Sequence, residues 1–435
     1  MIGLRPPGLR VPRHRATTAH LCAAYPFQAE AGLGARGVYL GTDELAGGGA
    51  FCFDPFEFYT QDTLTNPNML ILGEPGSGKS ALVKLLLYRS VGVLRSPGGG
   101  PRWVAIADPK GEYGALAEAV GLQTIALYPG GTARLNPLDA GPGAALVGAE
   151  KIALRRTAMV VALLADVLHR RLTPLEDAAV GWAVDLLGAS SAGPQPTLAD
   201  LASLLATPTG EMADRAGCDA AELATGVRDA RFALGKLLDR DLRGMFDGPS
   251  TVRTDWSGRG IVLDLSAVHH NPDALSLVMI ATTAWLQALM AFPESEETPR
   301  RYQALDEGYV LLRKEHTAVY LQACWKLCRR YGVANLLIGH RITDLRSQAD
   351  DGTATAKIAE GLLADTQTRV LYRQASDQVE ATAKLLQLSS AEAALLPTLA
   401  KGRALWKVAG RPAVVQTVIG PAEEAMCNTD QALVV

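Results

Sequence analysis

Short apolar runs that end in polar residues recur along the 435-residue chain: 69–73 (MLILG), 103–108 (WVAIAD), 123–127, 261–266 (IVLDLS), 303–307 (QALDE), 333–338 (VANLLI) and 368–373 (TRVLYR). Most lack the alternation of a half-exposed strand, so the pattern predicts strands buried on both faces of a parallel sheet. Helical spacing separates several of them, over 79–91, 316–331 and 355–364. Strands alternating with helices predict an α/β, doubly wound fold whose ligands bind at the carboxyl ends of the strands. Two more β-like runs, Gly37–Leu40 and Phe51–Phe53, flank a Gly-rich turn at 47–49 and read as a hairpin ahead of this unit.

Between roughly 144 and 247 strand runs are absent and Ala, Leu and Arg dominate at helical spacing. The expected organisation is therefore an N-terminal tail over 1–35, a first sheet segment with its hairpin over 36–143, an inserted all-helical subdomain over 144–255, a second sheet segment over 256–420 and a C-terminal tail over 421–435. The run Ala274–Phe292 carries no charge and nearly reaches the length of a bilayer span. It contains Ser276, Thr282, Thr283 and Gln287, and it separates two halves of what reads below as one site. A crossing would put those halves on opposite sides of a membrane, so the run is read as a buried helix.

Charged residues make up 20% of the chain and hydrophobic residues 48%, which suits an ordinary globular protein. The net charge of −3 gives no basic footprint for nucleic acid and argues mildly against a DNA-gripping surface. The local basic cluster Arg5, Arg10, Arg13, His14 and Arg15 lies in a Pro-rich stretch and reads as a solvated tail. No apolar signal segment follows it. Six cysteines without a framework fit a reducing cytoplasm. Cys324 and Cys328 stand four apart, but no second ligand pair has usable spacing, so they read as one buried helical face.

The chemistry begins at 71–80, ILGEPGSGKS. Gly73, four intervening residues and Gly78-Lys79-Ser80 form the P-loop pattern, entered from an apolar strand and leaving into a helix. Its glycines let backbone N–H groups approach phosphate oxygens, and the helix that follows adds its positive end. Gly73, Glu74, Pro75, Gly76, Ser77, Gly78, Lys79, Ser80 and Ala81 are the expected ATP-binding set. Lys79 would reach the β- and γ-phosphates and the Ser80 hydroxyl would ligate Mg²⁺. A chance match in an unrelated loop is disfavoured by the strand–loop–helix order. A second acidic strand end is required, and RYQALDE offers it: Asp306 to hold the metal, Glu307 to orient or deprotonate water. A pair of helix-capping carboxylates is the alternative. Asp108 and Glu112 of ADPKGEYG either approach the nucleotide or merely shape a turn.

DPFEFYTQDTLTNPNMLILGEPGSGKS, ADPKGEYGALAEAVG, RLNPLD and ALDEGYVLL together resemble the HerA–FtsK superfamily of P-loop motors, and within it the type IV secretion and conjugative-transfer ATPases of the TraC / VirB-four kind. The likeness runs over about residues 20 to 425. It implies a RecA-like P-loop NTPase, a central mostly parallel sheet with an inserted helical subdomain, and closing strands within 396–419. It also implies a Mg²⁺-dependent ATPase that energises assembly of, or substrate transfer through, a type IV secretion or conjugation apparatus. Membrane-channel subunits would be its partners and a protein or nucleoprotein its cargo, with the chain cytoplasmic or peripheral at the inner face of the cell membrane. A DNA translocase or helicase of the HerA–FtsK type is the alternative function, and a non-hydrolysing nucleotide switch a third.

Two departures bear on these expectations. Many relatives carry Thr-Gln after the strand at 333–338, where this chain has Gly339-His340-Arg341, which puts His340 at the polar sensor position; an exposed loop histidine is the plainer reading. The large membrane-docking domain of many relatives has no counterpart in the short stretch ahead of the P-loop, so it is expected to be absent or supplied by another chain. The superfamily implies a homo-oligomer, a hexamer, in which an arginine reaches the neighbour's site. Arg369 and Arg373 on the late strand are the candidates, with Arg341 a further one.

Overall fold

The computed structural model describes residues 32–189, 195–240, 242–255, 258–291, 300–312, 314–327, 329–340, 361–362 and 366–428. Arg341, nearly all of the helix expected over 355–364, most of the N-terminal tail and residues 429–435 lie outside them, while the start of the expected C-terminal tail is helical over Pro421–Glu423 and Glu424–Cys427 and buries Met426 and Cys427.

Among the described residues eleven strands form one sheet: β1 (Val38–Asp43), β2 (Gly49–Phe53), β3 (Met69–Leu72), β4 (Trp103–Asp108), β5 (Gln123–Ala126), β6 (Gly260–Asp264), β7 (Arg301–Leu305), β8 (Val333–Gly339), β9 (Thr368–Leu371), β10 (Arg403–Val408) and β11 (Arg411–Thr417). The order is β2-β1-β11-β10-β9-β3-β8-β7-β4-β6-β5. Every neighbour pair from β9 through β5 is parallel, and the pairs from β9 out to β2 are antiparallel. The apolar runs thus form a mixed α/β sheet whose centre is parallel, and β1–β2 form the hairpin at its edge.

The absence of alternation has a direct physical cause. In β3, β4, β7 and β8 every residue is buried, because both faces of the sheet are covered. Alternate residues go to different layers. Ile71, Val104, Ile106, Tyr302, Ala304 and Ile338 pack with Leu82, Leu85 and Leu86 of the helix Lys79–Val93 and with Phe51 and Phe53 of the hairpin. Leu70, Leu72, Ala105, Ala107, Leu305 and Leu337 face the other way, into a cluster with Met159, Leu163, Val180 and Leu234.

Those last residues belong to the helices between β5 and β6, among them Ala149–Leu168, Pro174–Gly188, Leu198–Ala206 and Arg228–Asp239. Their ends follow local chemistry: Thr173 and Thr197 each close a capping box with Glu176 and Asp200. These helices share one continuous cluster with the sheet face instead of enclosing a core of their own. The helix Pro272–Met290 joins the same cluster. By length and composition it would be long and apolar enough to cross a membrane, yet 89% of its apolar window is buried inside the protein. It is a core helix, as its small and hydroxylated residues indicated. Cys324 is likewise buried on the helix Glu315–Leu327, while Cys328 lies outside the described residues; among the described residues no three His, Cys, Asp or Glu side chains are grouped to hold a metal by themselves.

Parallel register places the functional edge. Leu72 pairs with Gly339 and with Leu371, Ala107 with Leu305, and Asp108 with Asp264. The carboxyl ends of β3, β8, β7, β4 and β6 therefore open on one side of the sheet, the side where ligands bind in such folds.

Candidate functional site

At the end of β3 the strand pairing runs on for one more rung on each side. The Gly73 amide donates to the His340 carbonyl (3.2 Å) and the Glu74 amide to the Arg373 carbonyl (3.0 Å), so the loop is clamped between the ends of β8 and β9. Gly73 is required here because a Cβ would stand 2.4 Å from that of Tyr372. Gly76 (φ 70°) and Gly78 (φ 113°) take left-handed backbone, which turns the loop back onto itself. The Ser77 hydroxyl donates to the Glu74 carbonyl (2.7 Å) and its own carbonyl accepts from the Gly402 amide (2.9 Å), so Ser77 shapes the loop. The helix starts at Lys79 with no side chain capping its first turn, leaving its N–H groups facing the space where Ser80 and Ala81 line the cavity.

Lys79 is buried and its ammonium donates to the carbonyls of Gly73 (2.7 Å) and Glu74 (2.8 Å). Burial lowers its pKa to about 8, against the opposing pull of Asp306. A desolvated cation held by two carbonyls is suited to exchange them for anionic oxygens.

Across the cavity, Asp306 follows β7. Its Oδ1 accepts from the Glu307 amide (2.9 Å), whereas Oδ2 is buried with no partner. Burial, and then the charge of Glu307, raise its pKa to about 6. A buried carboxylate oxygen without a donor is what a divalent cation would satisfy, and Ser80 lines the same cavity. Ser80 and Asp306 therefore fit Mg²⁺ as ligands.

Glu307 takes left-handed backbone (φ 51°), unusual for a residue with a side chain and a cost accepted at functional turns. Its Oε1 accepts from His340 Nε2 (2.8 Å) and meets the Lys110 ammonium in an ion pair. Burial alone would raise its pKa, but His340 and Lys110 outweigh it and hold the carboxyl at about 2. Because Nε2–H donates to Glu307, Nδ1 is left as an acceptor, and it lies 3.3 Å from Lys79 Nζ. His340 thus links the P-loop lysine to the acidic strand end, in place of the exposed loop position that was its alternative.

One cavity of about 450 Å³ joins Pro75, Gly76, Gly78, Lys79, Ser80 and Ala81 to Asp306, Glu307 and His340. The remaining P-loop residues, Gly73, Glu74 and Ser77, hold the loop without lining that space. The two arginines part company. Arg373 follows β9, is half exposed, and its Nε donates to Glu74 Oε2 (3.0 Å), so it abuts the P-loop of its own chain. Arg369 lies near the start of β9, away from the ligand edge, and donates to the carbonyls of Thr366 (3.0 Å) and Leu386 (2.8 Å). Its guanidinium is engaged by backbone of its own chain, and it does not line this chain's cavity.

Asp108 proves to be a turn former. Its carboxylate accepts from the amides of Lys110 (3.3 Å), Glu112 (3.1 Å) and Tyr113 (2.9 Å). That turn delivers Lys110, the residue sequence reasoning passed over; the signal was the lysine inside the Pro-Lys-Gly turn itself. Lys401, Glu424 and Asn428 also line the cavity, and no motif marked them.

No protein-family model matches the sequence, and comparison with curated proteins finds no match. Solved structures do resemble the fold. VirB4 of Thermoanaerobacter pseudethanolicus superposes with a TM-score of 0.70 at 20% identity, over 91% of this chain and 99% of that one. The unbound bacterial conjugative coupling protein TrwBdeltaN70 superposes at 0.55 with 18% identity, over 81% of this chain and 84% of that one. The plasmid coupling protein TrwB in complex with ADP and Mg²⁺ superposes at 0.56 with 18% identity, over 81% of this chain and 86% of that one. The chain therefore has the P-loop NTPase fold of these proteins, a RecA-like mixed sheet.

Proposed function

We propose that the chain is an ATP-hydrolysing motor that energises assembly of, or substrate transfer through, a type IV secretion or conjugation apparatus. The observation that carries this reading is the convergence of Lys79 and Ser80 with Asp306 and Glu307 on one cavity. The near full-length likeness to VirB4, and the ADP and Mg²⁺ found in TrwB, support it.

In this reading the P-loop amides and Lys79 bind the phosphates, and Lys79 leaves the Gly73 and Glu74 carbonyls to do so. Ser80 and Asp306 hold Mg²⁺, which supplies charge neutralisation on the phosphates. Glu307 orients the attacking water and His340 fixes the Glu307 carboxylate. Arg373, at the loop's outer edge, is the favoured candidate to act on a neighbour in a homo-oligomeric ring, a hexamer by the superfamily's habit. The helices of 144–255 act as the moving subdomain, packed on the sheet face that carries Leu70, Ala105 and Leu305. Channel subunits at the inner face of the cell membrane are the partners.

The test is phosphate release by the purified chain, with and without Mg²⁺. Lys79→Ala and Glu307→Gln abolish it if the reading holds; a Glu307→Gln protein as fast as wild type refutes the role of Glu307. The likeness to a coupling protein keeps a DNA translocase as the second reading. Salt-sensitive stimulation of hydrolysis by DNA would favour that reading.

A further inference from the structure

Of the three lysines that line the cavity, Lys79 and Lys110 lie against His340, and they are differently placed. Lys79 opens a helix and sits on two loop carbonyls. Lys110 stands on the turn made by Asp108, partly open to the cavity, with its ammonium on Glu307 Oε1 and 3.3 Å from His340 Nε2. In this arrangement a single oxygen of Glu307 serves both His340 and Lys110. Two charge-assisted contacts on that oxygen fix the orientation of the carboxylate and make it a weaker base toward water.

We propose that Lys110 is the residue through which the site distinguishes a nucleoside triphosphate from a diphosphate. With the terminal phosphate absent Lys110 restrains Glu307; when that phosphate enters, the ammonium transfers to its oxygens and Glu307 is released to hold water. This rests on the nucleotide reading above. The physical reason is competition between anions for one cation. A terminal phosphate brings more negative charge and more acceptor oxygens than one carboxylate, and charge-assisted contacts are the strong ones. Without Lys110 that phosphate would enter a space walled by four carboxylates, Asp306, Glu307, Glu112 and Glu424, with only Lys79 and Lys401 among the lining lysines to offset them. A diphosphate, ending short of Glu307, leaves the Lys110–Glu307 pair closed.

The experiment measures equilibrium binding of ADP and of a non-hydrolysable ATP analogue, both with Mg²⁺, to the full chain. Lys110→Gln weakens the analogue by about tenfold or more, the worth of one charged contact, and leaves ADP nearly unchanged. Lys110→Arg restores most of the loss. Glu307→Gln frees Lys110 in advance and so tightens the analogue, a gain that disappears when Lys110→Gln is added. A merely structural lysine would alter both nucleotides alike and would leave that gain in place. An analogue-to-ADP ratio unchanged in Lys110→Gln overturns the proposal, as does a Glu307→Gln gain that persists in the double variant. Wild-type protein that binds neither nucleotide overturns the nucleotide reading and this inference together. Wild-type binding with an unaltered ratio in the variants overturns this inference alone.

Discussion

Replacing Glu307 by Gln is the sharpest perturbation of the site, because it changes charge with almost no change of shape. The carboxylate is buried and accepts from His340 and Lys110. A hydrogen bond to a charged group is worth about 1.5–3 kcal/mol against about 0.5–1.5 for a neutral one. The amide keeps one acceptor for His340 but loses the ion pair with Lys110, so the nucleotide-free fold should lose about 1–2 kcal/mol. For a chain of this size that lowers the melting temperature by only a few degrees. Loss of a group that orients or deprotonates the attacking water removes about 10²–10⁴ of the rate. The two effects differ enough in size to be separated. Steady-state phosphate release, normalised to the fraction of protein with nucleotide bound, reads the rate, and a thermal melt reads the fold. Turnover within about threefold of wild type, at a bound fraction near saturation, would refute the argument, since no transition-state contact would have been lost.

Lys79→Ala removes the cation from the loop carbonyls of Gly73 and Glu74, and titration with a fluorescent nucleotide should show affinity down by about tenfold or more. Arg369→Ala should lower the melting temperature, since two buried backbone carbonyls lose their donor, while turnover per folded molecule stays unchanged. Asp166, on the helix Ala149–Leu168, gives the pH dependence. Burial would raise its carboxyl, but hydrogen bonds from His316 and Lys314 outweigh that and hold it below 3.8. A depressed carboxylate contributes stability that is present above 3.8 and lost as pH falls through its lower folded value. Asp166→Asn should therefore cost stability at neutral pH, and its denaturant midpoint should fall less steeply than wild type under acid.

How much of this was legible depended on the range of the interaction. The P-loop reads from ten consecutive residues because loop glycines, lysine and hydroxyl act on one phosphate chain within a single strand–turn–helix. The strands read because burial on both faces leaves contiguous apolar runs, and Ala274–Phe292 read as core because it separates two halves of one site and contains hydroxyls and small residues that suit a packed helix. Asp108 was ambiguous: an aspartate before proline suits a turn or a ligand equally, and only its three amide donors decide for the turn. Arg369 and Arg373, four apart in one run read as a strand, looked interchangeable until the structure put Arg373 beyond the end of β9 and gave each its own partners.

The sequence by itself determined which segments bury both faces, where the phosphate loop lies and which acidic strand end could face it. Each is a local property, written in periodicity and in contiguous residue types. Tertiary structure alone decided that β8 lies between β3 and β7, and hence that His340 links Lys79 to Glu307. It also decided that a lysine in the turn after β4 closes on Glu307. Strand order and register are set by packing between distant segments, and periodicity records only that a face is buried, never which strand lies beside it.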